Sequence, residues 1–342
     1  SSMGVRGTTF TVRVSTATLL AVEAGEVVLG EQTVGAGDAA RASGDGVVVP
    51  REQDSEDRAL FERLRTTYSV PRFDRALIES GTYRYPNWRT YDGVDWDPVS
   101  VTVPAFEMAR HEVTNAQYRE FVEWMMAHDD HRFCHPDEPD GWVHRESAST
   151  APDAPEWYPE RFRDDDQPVV GVAWIDAYAF CAWIGARLPS DTEWEWAAVS
   201  GNPAQGRRGV RLDRYYWIVE NSGAGDSSVE LPAPVVQLGS ATARTAAAAG
   251  LSTRPVGTRE PDRNGIHDLQ GNADEWVHDR ADHGTGSVPL DGRPRPRSTT
   301  EARYIRGTAI DQPESRISPG VRRYSRAPYP FTGFRPVFDV RR

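Results

Sequence analysis

Between residues 8 and 49, apolar and polar positions alternate through TTFTVRV, TLLAVEAGEVVLG, QTVGAGDAARA and GVVV, broken by Gly-rich turns. Period-two alternation puts one strand face in a core and the other in water, so this stretch predicts a small all-β module. The period changes over residues 54–68, where Leu60, Phe61, Leu64 and Tyr68 make a helical stripe. Acids fill the first turn of that helix, and Asp54 or Ser55 caps it. Residues 69–98 are rich in aromatics, Pro and Asp, and read as a connector lying on the main domain.

From residue 99 the signals are dense. VSVTVPAFEMARHEVTNAQYREFVEWM predicts a strand, a turn and a helix whose buried face is Tyr118, Phe121, Val122 and Met125. Thr114 and Gln117 have capping-box spacing, in which each side chain satisfies an orphan backbone N–H. A second helix around 174–184 buries Trp174, Ala177, Phe180 and Ile184, with Gly185 at its left-handed end. A third begins with another capping box, Ser190 and Glu193, and carries Trp194 and Trp196. The expected organisation is therefore a β module over 1–50, a helix and connector over 51–98, and the main domain over 99–342.

Composition narrows the function classes. All 39 basic residues are Arg, and the net charge is −12, which argues against nucleic acid because phosphates require a basic stripe. No apolar run approaches the roughly 20 residues of a membrane span. The two cysteines, Cys134 and Cys181, are too few for a disulfide framework.

The ordered motifs EVTNAQY, PVVGVAW, AFCAW, GARLPSDTEWEWAA, RPVGT, NGIHDLQGNADEW, YIRGT and GFRPVF resemble those of the sulfatase-modifying-factor, formylglycine-generating-enzyme-like family across residues 99–342. The N-terminal string resembles the second half of the FecR-like β domain. Together they imply an α+β fold: a C-type-lectin-like formylglycine-generating-enzyme domain with a small N-terminal all-β module. In such a fold the aromatics pin long loops. Half a β-module leaves an open strand edge, which implies a protein partner or self-association there.

The resemblance implies three functional outcomes: copper-dependent formylglycine formation, iron-dependent thiohistidine synthesis, and ligand binding without catalysis. The first needs two thiols after the R-G-G-S segment, at about Gln312 and Ile317, but no cysteine follows Cys181. A soft thiolate is what copper(I) demands, so no copper is expected. Relatives pair the Cys181 equivalent with a cysteine at the position of Pro336, so Cys181 is expected to be a buried free thiol.

Asp268, Gly271, Ala273 and Glu275 match the family's calcium motif, alternating side-chain and backbone oxygens around a tight turn. The competing reading is a plain Gly-Asn turn with solvated acids. Asp274 stands where relatives have Trp. Arg316, Arg322, Arg323, Tyr324, Arg326 and Tyr329 fall in the segment that lines the family's ligand surface, and Arg with aromatics makes good recognition anchors. Alternatively these arginines balance acidic loops. His128, His131, Cys134 and His135 have spacing that suits a zinc or redox-metal site, against a solvated polar loop.

The expectation from these observations is a non-catalytic, calcium-braced binding or structural protein of the bacterial envelope or exterior, periplasmic or extracellular, with a cytoplasmic location left open. Two alternatives stand beside it. One is an iron- or copper-dependent oxidoreductase of the same superfamily, and the other is a subunit of a larger assembly joined through the β module.

Overall fold

A computed structural model divides the chain into two compact units, Ser1–Val70 and Pro71–Arg342. It describes the strand backbones within 3–52, and residues 71–85, 98–128, 133–136, 144, 150, 162–222, 251–281, 289–294, 301–327 and 330–340. The helix expected over 54–68 lies outside the described residues.

In the first unit, β1 (Met3–Arg6), β4 (Glu26–Leu29) and β5 (Gln32–Gly35) form one antiparallel sheet in the order β1-β4-β5. A second sheet has the order β2-β3-β6-β7, from β2 (Thr9–Val14), β3 (Ala17–Val22), β6 (Asp38–Ala42) and β7 (Val48–Glu52). The two long alternating runs each supply two strands.

The second unit begins before the main-domain motifs do. The segment read as a connector supplies β8 (Arg75–Ile78) and β9 (Gly81–Tyr85), whose inward side chains alternate with exposed ones. β9 pairs with β10 (Val99–Val103), and β8 pairs with β11 (Phe106–Ala109). Among the described residues three α-helices follow: α1 (Asn115–His128), α2 (Trp174–Trp183) and α3 (Asp191–Gly201). Both predicted capping boxes form. Thr114 N donates to Gln117 Oε1 at 3.0 Å with the reciprocal bond at 3.3 Å, and Ser190 and Glu193 do the same at the start of α3. Gly185 sits at φ 71° just past α2, where a left-handed residue ends the helix.

The C-terminal third builds the sheet that carries the motifs. β12 (Asp274–Arg280), β13 (Arg303–Arg306), β14 (Arg322–Ser325) and β15 (Thr332–Gly333) form a four-stranded sheet, ordered β14-β13-β12-β15. The final strand, β16 (Val337–Asp339), closes against β11. Tryptophans tie this irregular framework together, as amphipathic rings with a single donor are suited to do. Trp276 Nε1 donates to Val172 O and Trp174 Nε1 to Val277 O, each at 2.8 Å. Among the described residues, no helix is long and apolar enough to cross a membrane.

Candidate functional site

The turn before β12 is held in a demanding conformation. Asp268 and Asn272 both lie at φ 54°, and Gly271 at φ 87°. A Cβ on Gly271 would stand 2.3 Å from Trp217 O, so both the left-handed backbone and the close approach require glycine. Asn272 locks the turn by bonding the backbone N–H and C=O of Arg254, at 2.8 and 3.1 Å.

Glu275, from that motif, meets Arg335 of the GFR motif in the core, with neither side chain exposed. Arg335 Nη2 and Nε donate to Glu275 Oε1 at 2.7 and 2.9 Å, and Trp194 Nε1 donates to Oε2 at 2.8 Å. The remaining Arg335 donors go to the carbonyls of Ala109, Arg110 and His267. Asp268 Oδ2 accepts from Gly257 N at 2.8 Å, while its Oδ1 is buried and makes no hydrogen bond. Burial raises Asp268 to about 6 despite that bond and the Arg335 charge. Glu112 is also buried in this cluster, and desolvation together with Asp268 pushes it well above the carboxylate range. Of the four residues matching the calcium motif, Glu275 thus has both oxygens engaged by protein donors, and the positive charge at them is a guanidinium.

A second buried network joins the YIRGT motif to α3. Arg306 Nε lies 2.7 Å from Asp191 Oδ1, and its Nη2 donates to Glu195. Tyr85 and Arg322 both donate to Asp191 Oδ2. Arg322 therefore faces inward rather than onto a ligand surface. Arg323 also turns inward, and its guanidinium pairs with the buried Asp274. The expected six-residue ligand surface is reduced accordingly: Arg316, Tyr324 and Arg326 are exposed, and Tyr329 lies outside the described residues. The physical reason is that Arg322 and Arg323, on opposite faces of β14, each meet a buried carboxylate that would otherwise lack a charge partner.

The segment where the family's thiol pair was expected carries a different chemistry. Asp311, adjacent to Gln312, is buried, and burial raises its carboxyl, with Asp274 adding repulsion and Arg323 opposing it. Asp274 is likewise raised by burial and lowered by Arg323. One oxygen of each carboxylate, Oδ1, is buried without a hydrogen bond. The group is thus two buried acids biased toward holding protons, beside a cation that reaches solvent. Sequence reasoning noted the acid at 274 and the arginine at 323 but did not connect them or include Asp311.

Of the histidine and cysteine cluster, His131 and the side chain of His128 lie outside the described residues, and His135 packs edge-on against Trp174 and Tyr178. Cys134 meets His144 instead, with Sγ 2.9 Å from Nε2, and His144 Nδ1 lies 2.8 Å from Asp176 Oδ1. Neither His144 nor Asp176 belongs to a sequence motif that would have flagged it. Cys181 is a buried free cysteine, and burial pushes its thiol well up.

These donor sets do not fit copper or iron. The described part of the 306–340 segment offers no thiol, and among the described residues no group of three or more His, Cys, Asp or Glu is arranged to hold a metal ion.

Comparison with known proteins gives the family context. The sulfatase-modifying factor enzyme 1-like domain matches residues 62–340. A hercynine oxygenase of Mycolicibacterium smegmatis is 38% identical over 120 residues, covering 32% of this chain and 26% of that protein. A formylglycine-generating enzyme of Mycobacterium tuberculosis is 30% identical over 239 residues, covering 58% of this chain and 72% of that protein. The structure of PvdO from Pseudomonas aeruginosa shares the fold, with a TM-score of 0.53 at 20% identity, covering 78% of this chain and 94% of that one. The chain spans 26% of the length of the two Mycolicibacterium hercynine oxygenases it matches, and 54% of that of the Mycobacterium tuberculosis one. These relatives bear enzyme names, which overturns the expectation of a non-catalytic binding or structural protein. That expectation rested on the missing thiol pair, the half β-module and the calcium motif, none of which bears on the chemistry these relatives are named for.

Proposed function

Because the chain belongs to the sulfatase-modifying factor family, with residues 62–340 matched, we propose that it is the substrate-handling domain of an oxidoreductase that acts on an amino-acid-derived substrate. The relatives named as hercynine oxygenase and formylglycine-generating enzyme support this class of reaction. The absent thiol pair argues against formylglycine formation by the family's cysteine route.

The observation that carries the reading is the buried acid pair Asp274 and Asp311 under Arg323, with Asp311 next to Gln312, near which the family resemblance implies a thiol. Oxidising a substrate held at an N–H, O–H or S–H group requires a proton to leave it. A carboxyl whose proton affinity is raised by burial is suited to take and return that proton near neutral pH. Burial raises both carboxyls, and the Arg323 charge opposes that rise at each of them. Arg323 also offers a planar, bidentate anchor to a substrate carboxylate.

The test is oxygen uptake by the purified chain, supplied with iron(II) or copper(I) and a panel of imidazole- and thiol-bearing amino acids. Wild-type protein is expected to show substrate-dependent uptake that falls at least about tenfold in Asp274→Asn and Asp311→Asn. Uptake that no substrate stimulates with either metal, or that both variants retain in full, would reject the reading.

A further inference from the structure

We propose that Cys134 is a reactive thiol that reduces hydroperoxides, with His144 as its acid–base partner and Asp176 as the residue that positions the imidazole. This site is separate from the Asp274–Asp311 group and does not depend on its role. Three elements converge on it. Cys134 follows α1, His144 lies in the stretch between α1 and α2, and Asp176 sits in the first turn of α2.

The hydrogen-bond order is the informative feature. Asp176 Oδ1 lies 2.8 Å from His144 Nδ1, so the carboxylate holds a proton on that nitrogen. Nε2, 2.9 Å from Cys134 Sγ, is then the atom that receives the thiol proton. Only 4% of His144 and 5% of Asp176 is exposed, and Phe121 packs edge-on to the ring at 5.7 Å. The imidazole is therefore fixed in plane and tautomer. Cys134 is half-buried, with its sulfur beside a group that stabilises its thiolate.

The nature of the leaving group favours a peroxide. When the thiolate attacks the terminal oxygen of ROOH, an S–O bond forms and the O–O bond breaks. Sulfur is oxidised by two electrons to the sulfenic acid, and RO⁻ departs. An alkoxide or hydroxide is a poor leaving group, since water has a pKa of about 15.7. The imidazolium at Nε2 supplies its proton, and the net change is Cys-SH + ROOH → Cys-SOH + ROH. A disulfide would expel a thiolate, which needs no such acid. An external thiol restores the cysteine through a mixed disulfide.

The test follows the pH dependence of Cys134 alkylation by iodoacetamide, and sulfenic-acid trapping by dimedone after hydrogen peroxide, both by mass spectrometry on the full chain. Wild-type Cys134 is expected to react and be trapped at pH 6. His144→Asn should react about tenfold more slowly there, and Asp176→Asn should move the profile toward the ordinary thiol value of about 8.5. Cys181, buried, serves as the unlabelled internal control. A wild-type profile centred near 8.5, or no trapped sulfenic acid, overturns the proposal. If His144→Asn does not fold, the wild-type profile and Asp176→Asn still decide it.

Discussion

Arg335 and Glu275, separated by 60 residues in the chain, form a wholly buried ion pair at 2.7 Å that joins the segment between β15 and β16 to β12. Burying both ions carries a desolvation cost that their attraction offsets only with good geometry and full donor use. Arg335 meets that condition by also donating to three backbone carbonyls.

Removing one partner should therefore be severe. Arg335→Met strands Glu275 and is expected to destabilise the domain by about 3–5 kcal/mol. The double variant Arg335→Met with Glu275→Gln should recover part of that loss, because the stranded charge is gone. Urea unfolding of the two variants measures the difference.

Arg323 stands between Asp274, Asp311 and solvent. Arg323→Met should raise both carboxyls further, because burial then acts without a nearby cation. Their folded values already exceed those of the unfolded chain, so bound protons favour the fold at low pH, and this is lost as pH rises. The variant should accordingly lose more melting temperature at pH 8 than at pH 5. Equal losses at both pH values would contradict the assignment.

Two further groups give the pH dependence opposite slopes. Asp262 is raised by burial to about 7, so it stabilises the fold most below the unfolded value of about 3.8 and loses that contribution as pH rises to 7. His111 and His278 are lowered to about 4, chiefly by burial, so the unfolded chain takes up protons first as pH falls from 6.5. Their contribution is complete above 6.5 and is lost toward pH 4. Replacing His278 by Gln should flatten the acid side of a stability-against-pH curve, and Asp262→Asn the neutral side; urea midpoints from pH 4 to 8 would show both.

The turn that matches a calcium motif can be checked directly. With Glu275 satisfied by Arg335 and Trp194, chelation by EDTA is expected to leave the melting temperature within about 1 °C. A drop of several degrees, restored by calcium, would show that Asp268 Oδ1 recruits a cation.

Much of this organisation is legible in the sequence. The two capping boxes, the α2 stripe ending at Gly185 and the alternation in the N-terminal strands depend on residues within about four positions of one another, and local spacing encodes them. The motif order was equally readable and led to the family. The chemistry was not. A missing thiol pair says nothing of other chemistries, and the acids at 274 and 311 meet a cation only because β14 delivers Arg323 to them.

What the sequence determined by itself is the set of elements, their caps and the family scaffold, because short-range hydrogen bonding and hydrophobic period decide those. What only the tertiary structure decided is the pairing of charges and donors. Glu195 meets Arg306 across 111 residues, and Cys134 meets His144 rather than the nearer His135. Such pairings depend on where a long irregular chain returns, and a buried ion takes whichever partner that path brings within reach.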